Sequence, residues 1–367
     1  MRRFLDWLPV ALGMALLSTF VALQWHRTVR GQNDFVALYA GGKLVGTPEL
    51  YSQTANQDVI KSILGVTMRS VTYTRPPFYA ALLKPFTFLP YLAAYGLFCA
   101  ICLSSIVWFV VRFSKDCPEL PLYASFCIPV AAFLTQGQDA PLLLCFVGLS
   151  ILCTRQKRDF LAGMVLSMCA IKFHLFLLVP LLLLTKKRWR IFAGAATGTG
   201  ILFVGGVMAA GTRSIGEYLS TLRNPWINFD VSMMPNLHGL VASLGASPRL
   251  EIALTCAVVL VFLWICQRTE NYEFLFALSL LCGLLVSYHS GISDDILLLP
   301  IFALIVNSSR DKPLRIALAV SLTPIPYFLG VPLSVVLPLL FLLILTLAAV
   351  SVAHRDKQQH RMIPAVA

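Results

Sequence analysis

Residues 167–190 read SMCAIKFHLFLLVPLLLLTKKRWR, a long apolar stretch with a lysine and a histidine near its start and a basic cluster at its end. A charged side chain in the middle of a bilayer costs about 3 kcal/mol on insertion scales, so such residues normally mark a functional site. The two polar residues are Lys172 and His174. The stretch therefore predicts an integral membrane protein with a polar site among its helices.

The whole chain has the composition of a protein with many membrane spans. Its 367 residues are 58% hydrophobic and 13% charged, and its mean hydropathy is +0.78. Apolar stretches of roughly crossing length lie at 7–25, 91–111, 117–135, 140–154, 191–210, 252–266, 274–293, 296–309 and 316–353. We predict one all-α domain, residues 1–367, a transmembrane helix bundle of about 12 spans, some of them short or broken.

The positive charge of the chain indicates how its spans are oriented in the membrane, and does not indicate a nucleic-acid partner. In a soluble protein a net charge of +12 would favour nucleic acid, but here 18 of the 29 Lys and Arg stand in short loops between apolar stretches or at the two ends of the chain. Those loops are predicted to be cytoplasmic, with both termini on the same side, including the tail 354–367. The ten cysteines lie mostly inside apolar stretches, where they are typical of small packing residues. The apolar run at the N-terminus lacks a cleavage signal and is interpreted as a retained span.

Parity then places several polar segments outside, because an apolar block flanked by two cytoplasmic clusters must cross and return. The external turns are 136–139, 172–174 and 288–295, and the long external loops are 26–75 and 211–235. In the first loop, 34–44 and 52–64 have the spacing of short helices lying in the membrane interface. The proline-rich segment 76–90 is predicted to be a broken element that precedes one full span.

Asp34 is the strongest candidate for catalysis. It follows the first span at the start of a predicted helix, where a carboxylate could act as general base for a hydroxyl at the membrane surface. The alternative is a helix-starting residue, capped by Asn33 or stabilised by the helix dipole. The sequence favours neither interpretation.

Cationic residues on the predicted external side are candidates for binding an anionic head group. Arg75 could bind a phosphate through its guanidinium fork, although an interfacial arginine that reaches towards water is equally common. Lys172 and His174 could bind the same group or stabilise its departure, and the alternative for Lys172 is a side chain that snorkels outwards.

A further polar cluster lies in SYHSGISDDILLLP, residues 287–300. His289 could orient a phosphate while Asp294 and Asp295 hold His289 or a basic partner. A metal site has poor support from one histidine and two aspartates, and a helix cap by Asp294 is the structural alternative. Asn236, His238, Gln136 and Gln138 complete the polar set on the same predicted side.

Five segments resemble glycosyltransferase family 87, the polyprenol-phosphate-mannose-dependent group of the C superfamily of membrane glycosyltransferases. They are NDFVALYAGGKLVGTPELY (33–51), YTRPPFYAALLKPFTFLPYLAAY (73–95), QGQDAPLLLCFVGLSIL (136–152), FLAGMVLSMCAIKFHLFLLVPLLLLTKKRWR (160–190) and SYHSGISDDILLLP (287–300). The sequence departs from the family pattern in two of these segments. His174 stands where Ile-Lys-Pro-Gln has glutamine, and Tyr288 stands where a proline usually precedes the histidine. The resemblance leaves the sugar and the acceptor open.

The resemblance implies an inverting sugar transfer from a polyprenyl-phosphate sugar, with mannose as the expected sugar, to a lipid or glycan hydroxyl on the extracytoplasmic face. We expect the membrane to be a bacterial inner membrane. The resemblance makes Asp34 the catalytic base. The implied reaction needs neither a metal nor another cofactor. The predicted substrate-binding residues are Arg75, Lys172, His174, His289, Asp295, Gln138, Tyr39, Asn236 and His238. Two rival classes stay open: a transporter or lipid flippase that uses Lys172, His289 and Asp295 as a relay, and a non-catalytic assembly subunit.

Overall fold

The computed structural model describes residues 2–68, 71–223 and 231–362, without the side chains of 2–7, 232 and 357–362. Parts of the predicted external loop 211–235 and of the tail 354–367 lie outside the described residues. The α-helices in chain order are α1 Arg2–Leu23, α2 Trp25–Val29, α3 Phe35–Leu44, α4 Gln53–Leu64, α5 Pro77–Leu83, α6 Tyr91–Phe113, α7 Leu120–Phe126, α8 Ile128–Gln136, α9 Ala140–Arg155, α10 Asp159–Leu166, α11 Leu178–Thr185, α12 Trp189–Ala210, α13 Arg213–Leu222, α14 Leu237–Ser243, α15 Pro248–Arg268, α16 Tyr272–Val286, α17 Leu298–Ser308, α18 Lys312–Ser321, α19 Ile325–Phe328 and α20 Leu333–Met362.

The all-α prediction is confirmed across the described ranges, and the chain is a membrane protein by its helices. Five segments are long and apolar enough to cross a bilayer: Tyr91–Phe113, Asp159–Phe176, Trp189–Ala210, Pro248–Arg268 and Leu333–Asp356. Shorter apolar helices cover Leu8–Leu23, Phe35–Leu44, Ala140–Arg155 and Tyr272–Val286. The total of about 12 spans stays a prediction, because several predicted spans are divided into helices too short to qualify alone.

The chain divides into two compact units. The first comprises Met1–Val110, Pro129–Phe173 and Ala193–Phe229, and the second comprises Val111–Ile128, His174–Phe192 and Asp230–Ala367. Both units are discontinuous in sequence, since the chain passes between them several times. Most of the strongest predicted site residues fall in the first unit.

Within the first unit, α3 differs from the predicted interfacial helix. Residues 35–42 of α3 are all buried, whereas a helix in the interface would keep one polar face in water. The sequence FVALYAGG explains the difference, because it is apolar on every side and packs as a core helix. Phe35 contacts an aromatic cluster formed by Tyr39, Tyr91, Tyr95 and Phe98.

The helix predicted over 52–64 and the break predicted over 76–90 are both observed, while the interfacial location of the helix stays a prediction. Helix α4 occupies Gln53–Leu64, begins at Ser52, whose hydroxyl accepts a hydrogen bond from the Ala55 amide, and ends at Gly65. The proline-rich segment is broken as expected: α5 is followed by a 3₁₀ turn, Lys84–Phe88, before the long helix α6 begins. Just before this element, the Arg75 carbonyl accepts a hydrogen bond from the hydroxyl of Tyr51, which lies earlier in the same loop.

The backbone around Lys172, in the stretch 167–190, departs from α-helical geometry. Helix α10 continues into 3₁₀ turns over Ser167–Phe176, and Lys172 interrupts them with φ −129° and ψ 57°. Helix α12 approaches α10 closely, since a Cβ on Gly194 would collide with the Phe160 carbonyl. This contact holds α10, the helix that leads into the turns carrying Lys172.

In the second unit, α16 and α17 form the core. Residues 274–285 of α16 and 298–305 of α17 are all buried. Helix α11 packs on α16, and Gly283 in α16 lies against the Leu175 carbonyl with no space for a Cβ. The polar turn 287–297 joins these two core helices.

Candidate functional site

Asp34 is positioned by its backbone and not by capping its own helix. Its amide donates to the Gln136 carbonyl at 2.9 Å. The neighbouring Asn33 caps instead: its Oδ1 accepts from the Phe35 amide at 3.1 Å, and its Nδ2 donates to the Tyr95 hydroxyl at 2.9 Å. The Asp34 side chain makes no capping hydrogen bond. Asn33 therefore caps the start of α3, as the structural alternative expects. The Asp34 carboxylate takes no part in this cap and makes other contacts.

Gly137 allows the turn 136–139 to approach this loop. Its φ is +65°, a left-handed conformation that glycine adopts without strain. A Cβ at this position would collide with the Asn33 side chain. Glycine is thus required both for the turn and for the close approach that brings Gln138 to Asp34.

Gln138 joins the carboxylate to two cations. Its Nε2 donates to Oδ2 of Asp34. Its Oε1 accepts from Lys172 Nζ at 3.1 Å and from Arg75 Nη2 at 3.2 Å. The amide is oriented as electrostatics requires, with its donor end on the anion and its acceptor end between the cations.

Asp139 is the counter-ion of the site. Arg75 binds it through two nitrogens, Nε to Oδ2 at 2.8 Å and Nη2 to Oδ1 at 3.1 Å. Lys172 Nζ lies 3.2 Å from Oδ1 of the same carboxylate, whose side chain is entirely buried. A buried carboxylate with two cationic partners is well compensated. Together these three residues carry one net positive charge beside Asp34.

The pKa values of Asp34 and Asp139 are shifted in opposite directions. Both residues lie outside the apolar helices. Burial raises the pKa of Asp34 above its usual value, and the hydrogen bond from Gln138 and the charges of Arg75 and Lys172 only partly oppose this rise. Burial also acts on Asp139, but Arg75 and Lys172 overcome it and hold its pKa well below the usual value. Asp139 is therefore a permanent anion, while Asp34 can accept a proton.

The sequence alone missed Asp139 as a member of the site. Its position just before the apolar run of α9 is typical of a helix cap, yet its side chain makes no capping hydrogen bond. The available signal was an acidic residue in a predicted external turn that also holds Gln138. That turn does meet Asp34, Arg75 and Lys172, while its predicted external location stays a prediction.

Tyrosines hold the segment that carries Arg75. The Tyr51 hydroxyl donates to the Arg75 carbonyl at 2.8 Å, and the Tyr73 hydroxyl donates to the Pro76 carbonyl at 2.9 Å. Tyr39, predicted to bind substrate, donates to the Leu89 carbonyl at 2.9 Å and stacks edge-on against Tyr91. Its observed contacts are structural, and a substrate role stays a prediction.

The other predicted residues belong to the second unit. The rings of His174 and His289 lie 6.3 Å apart in an edge-to-face arrangement. His238 Nδ1 lies 3.0 Å from Oε2 of Glu251, and its ring packs on Tyr288. Asn236 caps α14 by accepting from the Gly239 amide, and it donates to the Ser287 carbonyl. Substrate contacts by these residues stay predictions.

The predicted role of the aspartates in holding His289 needs correction for Asp295. Both of its carboxylate oxygens are buried without a hydrogen-bond partner, so it anchors neither His289 nor a basic residue. Burial, with a contribution from Asp294, raises the pKa of Asp295 well above its usual value. Asp294 accepts from the Gly291 amide at 3.0 Å, which agrees with the capping alternative.

No group of three His, Cys, Asp or Glu side chains with metal-ligand geometry occurs among the described residues. The expectation of a metal-independent reaction stays a prediction. What the first unit does offer is a proton-accepting carboxylate next to a pair of cations whose charge exceeds that of their counter-ion.

Comparison with known proteins gives one match. The model of glycosyltransferase family 87 matches residues 73–288, more than half of the chain. This range contains Arg75, Gln138, Asp139 and Lys172. No curated protein and no solved structure matches the chain significantly.

Proposed function

The chain belongs to glycosyltransferase family 87 and is a glycosyltransferase, and on that premise we propose a polyprenyl-phosphate sugar, with mannose as the sugar, as its donor. The acceptor is a hydroxyl of a lipid or glycan, and transfer takes place on the extracytoplasmic face. The observation that carries this proposal is the link from Asp34 through Gln138 to Arg75 and Lys172. The family match weighs against the transporter and the assembly-subunit alternatives.

Asp34 is proposed to act as the general base. The acceptor oxygen attacks C1 of the sugar from the side opposite the phosphate, its proton passes to Asp34, and the bond between C1 and the phosphate oxygen breaks. The configuration at C1 is inverted, and polyprenyl phosphate leaves with the bonding electrons. A base with a raised pKa suits this task, because it holds the proton better than an ordinary carboxylate does.

Arg75 and Lys172 are proposed to stabilise the departing phosphate. Their charges exceed that of Asp139 by one, so an arriving phosphate would find a net attraction at a site that already has its donors oriented. Asp139 limits that attraction, which favours release of the lipid product.

The decisive test uses purified protein in lipid nanodiscs with radiolabelled polyprenyl-phosphate mannose and extracted membrane lipids as acceptors. Asp34→Asn should abolish transfer, while binding of the labelled donor persists, because the amide cannot take the proton. Asp58→Asn, in the same loop and exposed on α4, is the matched control and should retain activity. Transfer by the Asp34→Asn variant at the wild-type rate would exclude this mechanism.

A further inference from the structure

Helix α13, Arg213–Leu222, has a marked separation of polar and apolar residues. Ile215, Tyr218, Leu219 and Leu222 follow the i, i+3, i+4, i+7 spacing that places them along one face. The polar residues lie on the remaining surface. Such a pattern is expected for a helix that buries one side.

Only part of the apolar stripe packs against the protein, since Ile215 and Tyr218 are half-buried and the Tyr218 ring contacts Tyr51. Leu219 is 48% exposed and Leu222 is 39% exposed, whereas the polar Ser214 is only 2% exposed. Ser214 is followed by half-buried Glu217 and Thr221 on the side that meets the rest of the first unit. Two large apolar side chains thus face outwards beside the protein contact.

The position of α13 indicates what covers those side chains. It follows the membrane-spanning helix α12 after a single turn, in which Gly211 adopts a left-handed φ of +79°. A ten-residue helix, about 15 Å long, is too short to cross a bilayer. Arginines flank it at both ends, Arg213 in the first turn and Arg223 just beyond the last. Arg213 also pairs with Glu217 at 2.7 Å.

We propose that α13 lies flat on the bilayer, with Leu219 and Leu222 inserted at the boundary between head groups and acyl chains. Arg213 and Arg223 then face anionic phospholipid head groups at either end of the helix. The partner is the lipid surface itself. This interaction does not depend on what the enzyme transfers.

The same helix contacts the support of Arg75. The Tyr218 ring lies 5.7 Å from the Tyr51 ring, and the Tyr51 hydroxyl holds the Arg75 carbonyl. Binding of α13 to the lipid surface therefore stabilises the contact between the Tyr218 and Tyr51 rings, which supports Arg75. This consequence rests on the proposed function, since it assigns Arg75 to the donor phosphate.

The lipid contact is tested by encoding an environment-sensitive fluorescent amino acid at position 219 or, as the matched control, at the neighbouring exposed position 220. An encoded probe avoids labelling the exposed thiol of Cys256. In nanodiscs of phosphatidylglycerol and phosphatidylcholine, spin-labelled lipids should quench the probe at 219 several-fold more than at 220, and aqueous iodide should show the reverse preference. Equal quenching at both positions would overturn the proposal.

The functional consequence is tested separately with Leu219→Glu and Ser220→Glu. Both place the same charge on an exposed surface of α13, but only Leu219→Glu opposes lipid insertion. We expect Leu219→Glu to raise the KM for the lipid-linked donor with little change in kcat, and Ser220→Glu to leave both unchanged. A normal KM in Leu219→Glu, with the fluorescence result intact, would refute the link to Arg75 alone. Because the quenching measurement needs no turnover, it stands whether or not the proposed function does.

Discussion

Gln138 and Asp34, 104 residues apart in the chain, meet through a hydrogen bond from the glutamine amide to the carboxylate. The other end of the same amide accepts from Arg75 and Lys172. One neutral side chain thus separates the proposed base, Asp34, from the two cations that would otherwise pair with it directly. A direct ion pair would lower the pKa of Asp34, whereas the observed arrangement leaves burial as the dominant influence.

Gln138→Glu should shift the pH dependence of transfer. The new carboxylate replaces a hydrogen-bond donor beside Asp34 with a negative charge, which raises the pKa of Asp34 further. The acid limb of the kcat/KM profile should therefore move to higher pH. Gln138→Leu, which removes the hydrogen bonds without adding charge, should lower kcat with a smaller displacement of that limb. Coincident acid limbs in wild type and Gln138→Glu would show that Asp34 is not the titrating base.

The raised pKa of Asp34 also has a consequence for stability. A folded state that binds the proton more tightly than the unfolded chain loses stability as pH rises between the unfolded pKa and the folded pKa. Asp34→Asn removes that loss, so the inactive variant should melt at a higher temperature than wild type at neutral pH. At a pH below both pKa values the two melting temperatures should converge. Thermal unfolding in nanodiscs, followed by intrinsic fluorescence, measures this difference.

Asp139→Leu should be strongly destabilising. It leaves the buried charges of Arg75 and Lys172 without their shared counter-ion, and breaking a buried pair in this way typically costs about 3–5 kcal/mol. The sign of the pH effect is opposite to that of Asp34: a depressed pKa contributes stability at neutral pH that is lost as pH falls. Asp58→Asn again serves as the exposed control. A melting temperature within one degree of wild type, on the order of 0.3 kcal/mol, would contradict the role of Asp139.

Asp295→Asn should be tolerated or stabilising. Both carboxylate oxygens of Asp295 lack hydrogen-bond partners in a fully buried position, so burial favours the neutral form of Asp295 over the ionised form. Asparagine has nearly the same shape and stays neutral at every pH. Asp295→Asn should therefore match the wild-type melting temperature at a pH below both pKa values and increasingly exceed it as pH rises from the unfolded pKa of Asp295 towards its folded pKa. A large loss of stability at neutral pH would show that the charged form is needed.

The sequence alone determined the class of the protein and its local elements. Apolar stretches of crossing length predicted a helical membrane protein, prolines predicted the break at α5, and spacing predicted α3 and α4. Asp34, Arg75 and Lys172 stood out because each is a charged residue at the edge of, or inside, apolar sequence. These features are local, since hydrophobic periodicity and turn chemistry act over a few residues.

Only the tertiary structure decided how those residues are paired. Asp139 is 64 residues from Arg75, and no periodic pattern connects the two positions. Likewise α3 has the length and start of an interfacial helix, but its burial depends on the aromatic cluster supplied by α6. Pairing across such distances arises when packing brings helices together and each buried charge must find a partner, because an unpaired charge costs too much free energy.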